Sequence, residues 1–262
     1  MSTTTPGADR LQALISYSNN KTGASDTTLG DAVARLVEGY GGGSIEDGVI
    51  VTARDSNGHA TAVEKYGDCG PYEFGIGTYN YNRFPYYGLE TINLHDCTTL
   101  MEGAMFNASI TNVSGMENIT SCGANAFYGI NISEIVLSKA TNIGGTCFRS
   151  LGSACKSVKL PVVQTVGSFI FQDAKTLESA QLGSVGHPCP MNGTAKMFYG
   201  CTQNNLTITV YQTGSNVDTL ITNLRNSGGD NATIIVKASE ATTYNGTSYA
   251  AGDTILTSTP NS

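Results

Sequence analysis

The chain has 262 residues, of which 13% are charged and 40% are hydrophobic, and its formal net charge is −7 at pH 7. This acidic balance argues against nucleic acid or a membrane surface as a partner, because both would require a basic patch. No apolar run approaches the roughly 18 residues of a membrane span, and the start of the chain shows no secretory signal pattern. Its abundance of Gly, Ser, Thr and Asn indicates a β-rich exterior protein of one or two domains.

Residues 9–40 predict two short helices. The second is the clearer one, because Thr28 and Asp31 form a capping-box pattern and Gly39 closes the helix. Two amphipathic helices in about forty residues are too small for a core of their own, so they must pack on the rest of the chain, on copies of themselves or on another protein. We assign 1–43 as a helical attachment or oligomerisation segment. Its apolar stripe consists of Leu29, Val33, Leu36, Val37 and Tyr40.

Residues 44–88 predict a β-hairpin followed by an aromatic segment. Strand-like runs at 49–54 and 60–66 are joined across Asn57-Gly58, the strongest short hairpin signal. The aromatic segment, 72–87, is either a cap over the open end of the next domain or a ligand platform for sugar rings and peptide edges. Its candidate binding residues are Tyr79, Tyr81, Arg83, Phe84, Tyr86 and Tyr87.

A repeated unit organises residues 89–201. A Phe recurs at positions 106, 127, 148, 171 and 198, an apolar residue (Met101 in the first unit) stands five positions before each of the first four, and apolar pairs such as Ile92 with Leu94 come earlier. A period of about 20 to 29 residues is typical of a leucine-rich-repeat-like solenoid. In such a solenoid each coil contributes a short strand and a buried ring, and the coils stack into one core. We predict about five coils in a mixed α/β, β-rich fold.

Past Cys201 the repeat pattern ends. Residues 206–210 alternate like a strand, 217–225 have helical spacing, and 232–236 resemble a strand again. We therefore predict that 202–262 form a carboxyl-terminal cap. A second Asn-Gly pair, at 245–246, predicts a terminal hairpin within it.

The sequence offers no catalytic or metal-binding constellation. Its seven Cys are odd in number and include no Cys-x-x-Cys pair, which predicts free thiols rather than disulfides or a zinc site. None of the three His stands at ligand spacing from another ligand residue, and no P-loop, dinucleotide fingerprint or nucleophile elbow occurs. We expect no catalytic residue, no metal and no cofactor, and hence a non-enzymatic protein.

Two parts of the chain resemble known families. Residues 132–148 (ISEIVLSKATNIGGTCF) and 158–171 (VKLPVVQTVGSFIF) resemble the BspA-type leucine-rich repeat, which occurs in bacterial surface adhesins and in phage proteins. Residues 22–43 (TGASDTTLGDAVARLVEGYGGG) resemble the amino-terminal module of tailed-phage structural proteins, and 45–67 resemble the hairpin that often follows it. The second resemblance implies a virion component attached through its amino-terminal helices.

We therefore expect a non-enzymatic phage virion protein, a tail, baseplate, fibre or capsid-decoration appendage that displays the solenoid for adhesion to a host-surface glycan or protein. Its partners would be other virion proteins and further copies in a homo-oligomer. Its location would be the virion, assembled in the bacterial cytoplasm. The alternative is a bacterial cell-surface leucine-rich-repeat adhesin. A third hypothesis, a tail-associated glycan-degrading enzyme, needs two acidic residues brought together across coils.

Overall fold

The computed structural model describes residues 48–75, 86, 88–190 and 196–260. These residues are mostly strand and turn with one short α-helix, and none of the helices among them is long and apolar enough to cross a membrane. The domain divisions at 43, 88 and 201 stay predictions. The attachment segment 1–43 lies outside the described residues, together with Leu29, Val33, Leu36, Val37 and Tyr40.

The predicted hairpin is present. Strand β1 (Val49–Arg54) pairs antiparallel with β2 (Ala60–Lys65). In the turn, Gly58 donates its N–H to Asp55 O at 3.0 Å, and the Asp55 carboxylate accepts two further backbone N–H groups. Gly58 has φ +84°, a left-handed conformation that glycine adopts without steric cost. The Asn-Gly signal therefore predicted this turn for a sound physical reason.

A buried ion pair joins the hairpin to the segment that follows it. Lys65 Nζ lies 2.8 Å from Glu73 Oε1, and both residues are almost completely buried. The second carboxylate oxygen of Glu73 accepts the N–H of Gly70 at 2.7 Å. Because a buried charge that loses its partner costs several kcal/mol, this pair fixes the segment around Glu73 against β2.

Parallel strands form the first side of the coils. β2 pairs in parallel with β3 (Thr91–Leu94), which pairs with β5 (Asn112–Ser114). A separate six-stranded sheet continues this side, parallel except for its last strand. One parallel strand per coil is the arrangement that stacked repeats require. The six strands are β7 (Glu134–Val136), β9 (Ser157–Leu160), β11 (Ser179–Leu182), β12 (Thr207–Gln212), β13 (Thr233–Ala238) and β16 (Thr254–Ser258).

Two further sides complete the coils. The second side is a parallel ladder of the two-residue strands β4 (Thr99–Leu100), β6 (Ser121–Cys122), β8 (Asn142–Ile143) and β10 (Thr165–Val166). On the third side the chain turns, and backbone N–H groups donate to carbonyl groups of the next coil, as from Phe127 to Cys147 at 3.0 Å and from Phe148 to Ile170 at 2.8 Å. These bonds satisfy backbone hydrogen-bonding groups in a structure made largely of turns.

A column of buried side chains runs along the third side. The rings of Phe127, Phe148, Phe171 and Phe198 are fully buried and stacked, with successive centroids 5.7, 5.4 and 4.9 Å apart. At the amino-terminal end of the column, Phe74 and Met105 make the same kind of backbone hydrogen bond to the next coil, from Phe74 N to Ala104 O and from Met105 N to Ala126 O. The expectation of about five coils is therefore not confirmed, because six positions are equivalent: Phe74, Met105, Phe127, Phe148, Phe171 and Phe198.

The predicted register of the first coil is wrong by one residue. Met105, not Phe106, is fully buried in the column, because its N–H makes the bond to the next coil that Phe127 makes one coil later. Phe106 is half-buried on the outer surface. Likewise Leu100, not Met101, takes the buried position on the second side, and Met101 is 42% exposed.

Left-handed residues flank the buried column. They lie two positions before and two positions after the column residue, and they make the two sharp bends of the third side. This conformation costs a residue other than glycine about 1–2 kcal/mol, and for a side chain as bulky as that of Phe169 it is an outlier. The left-handed residues are Tyr72, Gly103, Asn125, Thr146, Phe169 and Lys196 before the column, and Asn107, Gly129, Ser150, Asp173 and Gly200 after it.

The carboxyl-terminal part has the predicted strand, helix and strand as β12, α1 (Val217–Leu224) and β13, followed by the predicted hairpin of β14 (Thr242–Tyr244) and β15 (Thr247–Tyr249). The edge strand β16 was not predicted. Arg225 holds β16 in place, because its guanidinium donates both to Ala232 O, just before β13, at 2.7 Å and to Ser258 O, in β16, at 3.0 Å.

Candidate binding surface

Of the six residues predicted to bind a ligand, only Tyr86 is among the described residues. Its ring is partly buried and meets the edge of Phe74, with the centroids 5.1 Å apart. For Tyr86 this contact favours the cap over the ligand platform, because a ring packed on the core has less surface left for a ligand. The other five stay predictions outside the described residues: Tyr79, Tyr81, Arg83, Phe84 and Tyr87.

A row of half-buried side chains lies on the outer surface of the third side. We call Tyr72, Phe106, Tyr128 and Arg149 the aromatic row. Phe106 stacks on Tyr128 with centroids 4.5 Å apart, and Tyr72 meets Phe106 edge-on at 6.0 Å. Arg149 Cζ lies 5.5 Å from the centre of the Tyr128 ring, within the range of a cation–π contact. The row therefore presents three rings, two of them phenols, and one cation at the coil spacing of about 4.8 Å.

The repeat itself positions the aromatic row. Phe106, Tyr128 and Arg149 each directly follow a residue of the buried column, so the backbone that buries one side chain displays the next. Tyr72 depends on Gly103, where a Cβ would lie only 2.2 Å from the Tyr72 ring. The sequence pattern did not reveal this row, because the spacing of the Phe residues placed Phe106 in the core. An aromatic residue directly after the column position was the signal that could have revealed it.

A second group of surface side chains lies further along the same side. Tyr199 is 53% exposed, Phe169 meets it edge-on with centroids 6.0 Å apart, and Lys196 Nζ lies 5.9 Å from the centre of its ring. We call these three residues the distal cluster. Phe169 and Lys196 both have left-handed backbones. Because this conformation recurs at the same position in the other coils, the exposed Tyr199 ring and its contact with Lys196, not the backbone, add the distal cluster to the candidate surface.

These side chains are of the types that dominate binding surfaces. Tyr, Phe and Arg are enriched in the cores of protein interfaces and among the residues that carry most of the binding energy. Rings that already stack on one another lose little conformational freedom when a partner arrives. The aromatic row is therefore a preorganised group of side chains of the types found at binding surfaces.

The titratable groups on the first side form a polar cluster. His95 Nε2 contacts the Glu64 carboxylate, to which Asn93 Nδ2 also donates at 2.9 Å, and the ring of His95 stacks on Tyr66. Burial, together with the charge of Glu64, raises the pKa of Tyr66 to about 12. Within the described residues, no group of three or more His, Cys, Asp or Glu could hold a metal ion.

The cysteines are packing residues of the core. All seven are buried with free thiols. The hydrogen bond with Cys147, together with burial, raises the pKa of Cys122, and burial raises the pKa of Cys189 to about 12. Both thiols therefore stay protonated at neutral pH, and a protonated thiol is a poor nucleophile and metal ligand.

Stacked coils, each with a short strand and a buried column residue, define a solenoid of the leucine-rich-repeat type, here with aromatic side chains displayed on one side. Residues 77–204 match the family described as BspA type leucine rich repeat region, in six copies. This part of the chain therefore consists of BspA-type leucine-rich repeats, which suggest an adhesion or surface-binding domain. No curated protein and no solved structure matches the chain. The resemblance of 22–67 to phage structural proteins stays a prediction.

Proposed function

We propose that the chain is a non-enzymatic adhesion module that binds a host-surface glycan or protein through the aromatic row. The observation that carries this proposal is the stack of Phe106, Tyr128 and Arg149 on three adjacent coils, half-buried outside the core. Large side chains grouped on the surface of a soluble protein are typical of interaction sites. The BspA-type repeats support the same function.

Binding to cell envelopes from the source culture tests this proposal. The double variant Phe106→Ala/Tyr128→Ala removes the centre of the row, and Val185→Ala is the control, because Val185 is 53% exposed outside the row. Two interface aromatics that each contribute about 1.4 kcal/mol would together weaken binding about 100-fold. We expect this loss for the double variant and unchanged binding for the control. Equal sedimentation of wild type and double variant with the envelopes would contradict the proposal.

We propose further that this module belongs to a phage virion appendage and is held there by residues 1–43 in several copies. The resemblance of 22–43 and 45–67 to tailed-phage structural proteins supports this proposal. Immunogold microscopy with antibody to 44–262, on particles and on uninfected cells, tests it. Label on tails or heads is the expected result, and label on uninfected cells alone would make the chain a bacterial surface adhesin. If a truncation starting at Ser44 keeps the oligomeric state of the full chain, 1–43 are not the oligomerisation element.

A further inference from the structure

The first side of the solenoid opens between β5 and β7. β3 is paired with β5, and β7 with β9, but β5 and β7 belong to different sheets. Both strands are fully described, and no backbone hydrogen bond joins them. The same two coils remain bonded on their other sides, through β6 and β8 and from Phe127 N to Cys147 O. The opening is therefore a local feature of one side.

The opening leaves part of the core uncovered. Val113 is only partly buried, whereas Ile92 and Ile135, which take the equivalent position in the neighbouring strands, are fully buried. The space between the strands has a volume of about 270 Å³. An apolar side chain left in contact with water costs free energy, and the unpaired strand edges beside it are exposed. A ligand that covers Val113 and bonds these edges would recover part of that cost.

The rim of the opening is polar, and three of its groups have partners outside the rim. Thr111 Oγ1 donates to Glu90 O at 3.4 Å. Ser114 Oγ donates to Asn93 Oδ1 at 2.9 Å, and a carboxylate oxygen of Glu134 lies 2.8 Å from Lys159 Nζ. Partners outside the rim fix these side chains before a ligand arrives. The rim consists of Thr91, Thr111, Asn112, Ser114, Ser133 and Glu134.

The charge of the rim limits the ligands that it can accept. The hydrogen bond from Lys159 lowers the pKa of Glu134, so this carboxylate is ionised at neutral pH, accepts hydrogen bonds and disfavours anions. The rim also includes the hydroxyl groups of Thr91 and Ser133. A hydroxyl group can both donate to and accept from a ligand.

We propose that this opening binds one neutral, hydroxyl-rich ring, that of a monosaccharide or of one sugar unit in a glycan. Val113 on the apolar floor would contact the C–H face of the ring, and the rim would bond its hydroxyl groups. The volume of about 270 Å³ lies just below the range of roughly 300–1,000 Å³ typical of drug-sized ligands, so it suits a single ring. This site lies on the first side and the aromatic row on the third, so the inference stands independently of the proposed function.

Saturation-transfer NMR on the full chain tests this site, with glucose, galactose, mannose and N-acetylglucosamine as separate probes. Ser133→Trp would fill the opening. Ser153→Trp is the matched control, because Ser153 is an exposed serine of the same solenoid outside the opening. We expect signal from at least one sugar with the wild type and with S153W, and at least tenfold less signal with S133W.

Asn112→Ala, which only shortens an exposed side chain, tests the site without added bulk and should weaken binding of the same sugar about fivefold. Absence of signal from all four sugars would overturn the inference, as would equal signal with a folded S133W. If Phe106→Ala/Tyr128→Ala abolishes the signal and S133W does not, the sugar binds the aromatic row, and the opening is not its site.

Discussion

Replacing Phe148 by alanine tests the buried column most sharply. Its ring is fully buried between those of Phe127 and Phe171, with centroids 5.7 and 5.4 Å away. Burial of such a side chain contributes about 1.5–3 kcal/mol, and each ring pair adds about 0.5–1.5 kcal/mol. Phe148→Ala should therefore lower the free energy of unfolding by about 3–5 kcal/mol, the usual range for this substitution in a core.

The first coil provides an internal control for the register. Met105 is fully buried, so Met105→Ala should cost about 2–5 kcal/mol. Phe106→Ala removes a half-buried ring that stacks on Tyr128, and should cost less, about 1–2 kcal/mol. If Phe106 lay in the column instead, the order of the two losses would be reversed.

Urea unfolding followed by far-ultraviolet circular dichroism measures all three variants. The slope of the unfolding free energy against urea concentration must stay constant across the series. A changed slope means that the coils no longer unfold together. A loss below about 1 kcal/mol for Phe148→Ala, within the range of ordinary surface changes, would refute the buried column. A larger loss for Phe106→Ala than for Met105→Ala would refute the assigned register.

Three further predictions concern other parts of the chain. Arg225→Ala removes the hydrogen bonds that fasten β16, so amide exchange should rise at 254–258 and not in β12; unchanged exchange would contradict this role. Ser150→Gly relieves a left-handed residue and should raise stability by about 0.5–1 kcal/mol, whereas a lower urea midpoint would argue against strain there. Lys159→Ala should raise the pKa of Glu134 in a carboxyl NMR titration, because the hydrogen bond from Lys159 is the main cause of its lowering. The stabilising effect of this pair is present near neutral pH and is lost as the pH falls through the lowered pKa of Glu134.

Local signals in the sequence predicted most of the individual elements. Both Asn-Gly turns, at 57–58 and 245–246, lie in the hairpins they predict, because their left-handed residues satisfy a purely local requirement. The spacing of Phe127, Phe148 and Phe171 likewise predicted the column, since each ring packs on its equivalent in the next coil.

Features set by contacts between distant residues were not predictable in this way. Met105 and Phe106 are adjacent and both apolar, so spacing alone could not decide which one is buried; the backbone bond to Ala126 decides it. The opening between β5 and β7 was missed although β5 breaks the alternating apolar pattern of its neighbours, because Gly115 stands in line with Leu94 of β3. β16 depends on Arg225, a contact across 33 residues.

Photo-crosslinking tests directly whether the aromatic row is the contact surface of an adhesion module. Benzoylphenylalanine would replace Tyr128 in one variant and the exposed Val185 in another, and both would be irradiated on cell envelopes from the source culture. We expect a covalent adduct with an envelope component from position 128 and none from position 185. If position 128 gives no adduct although the variant still binds the envelopes, or if only position 185 gives one, the contact surface lies elsewhere.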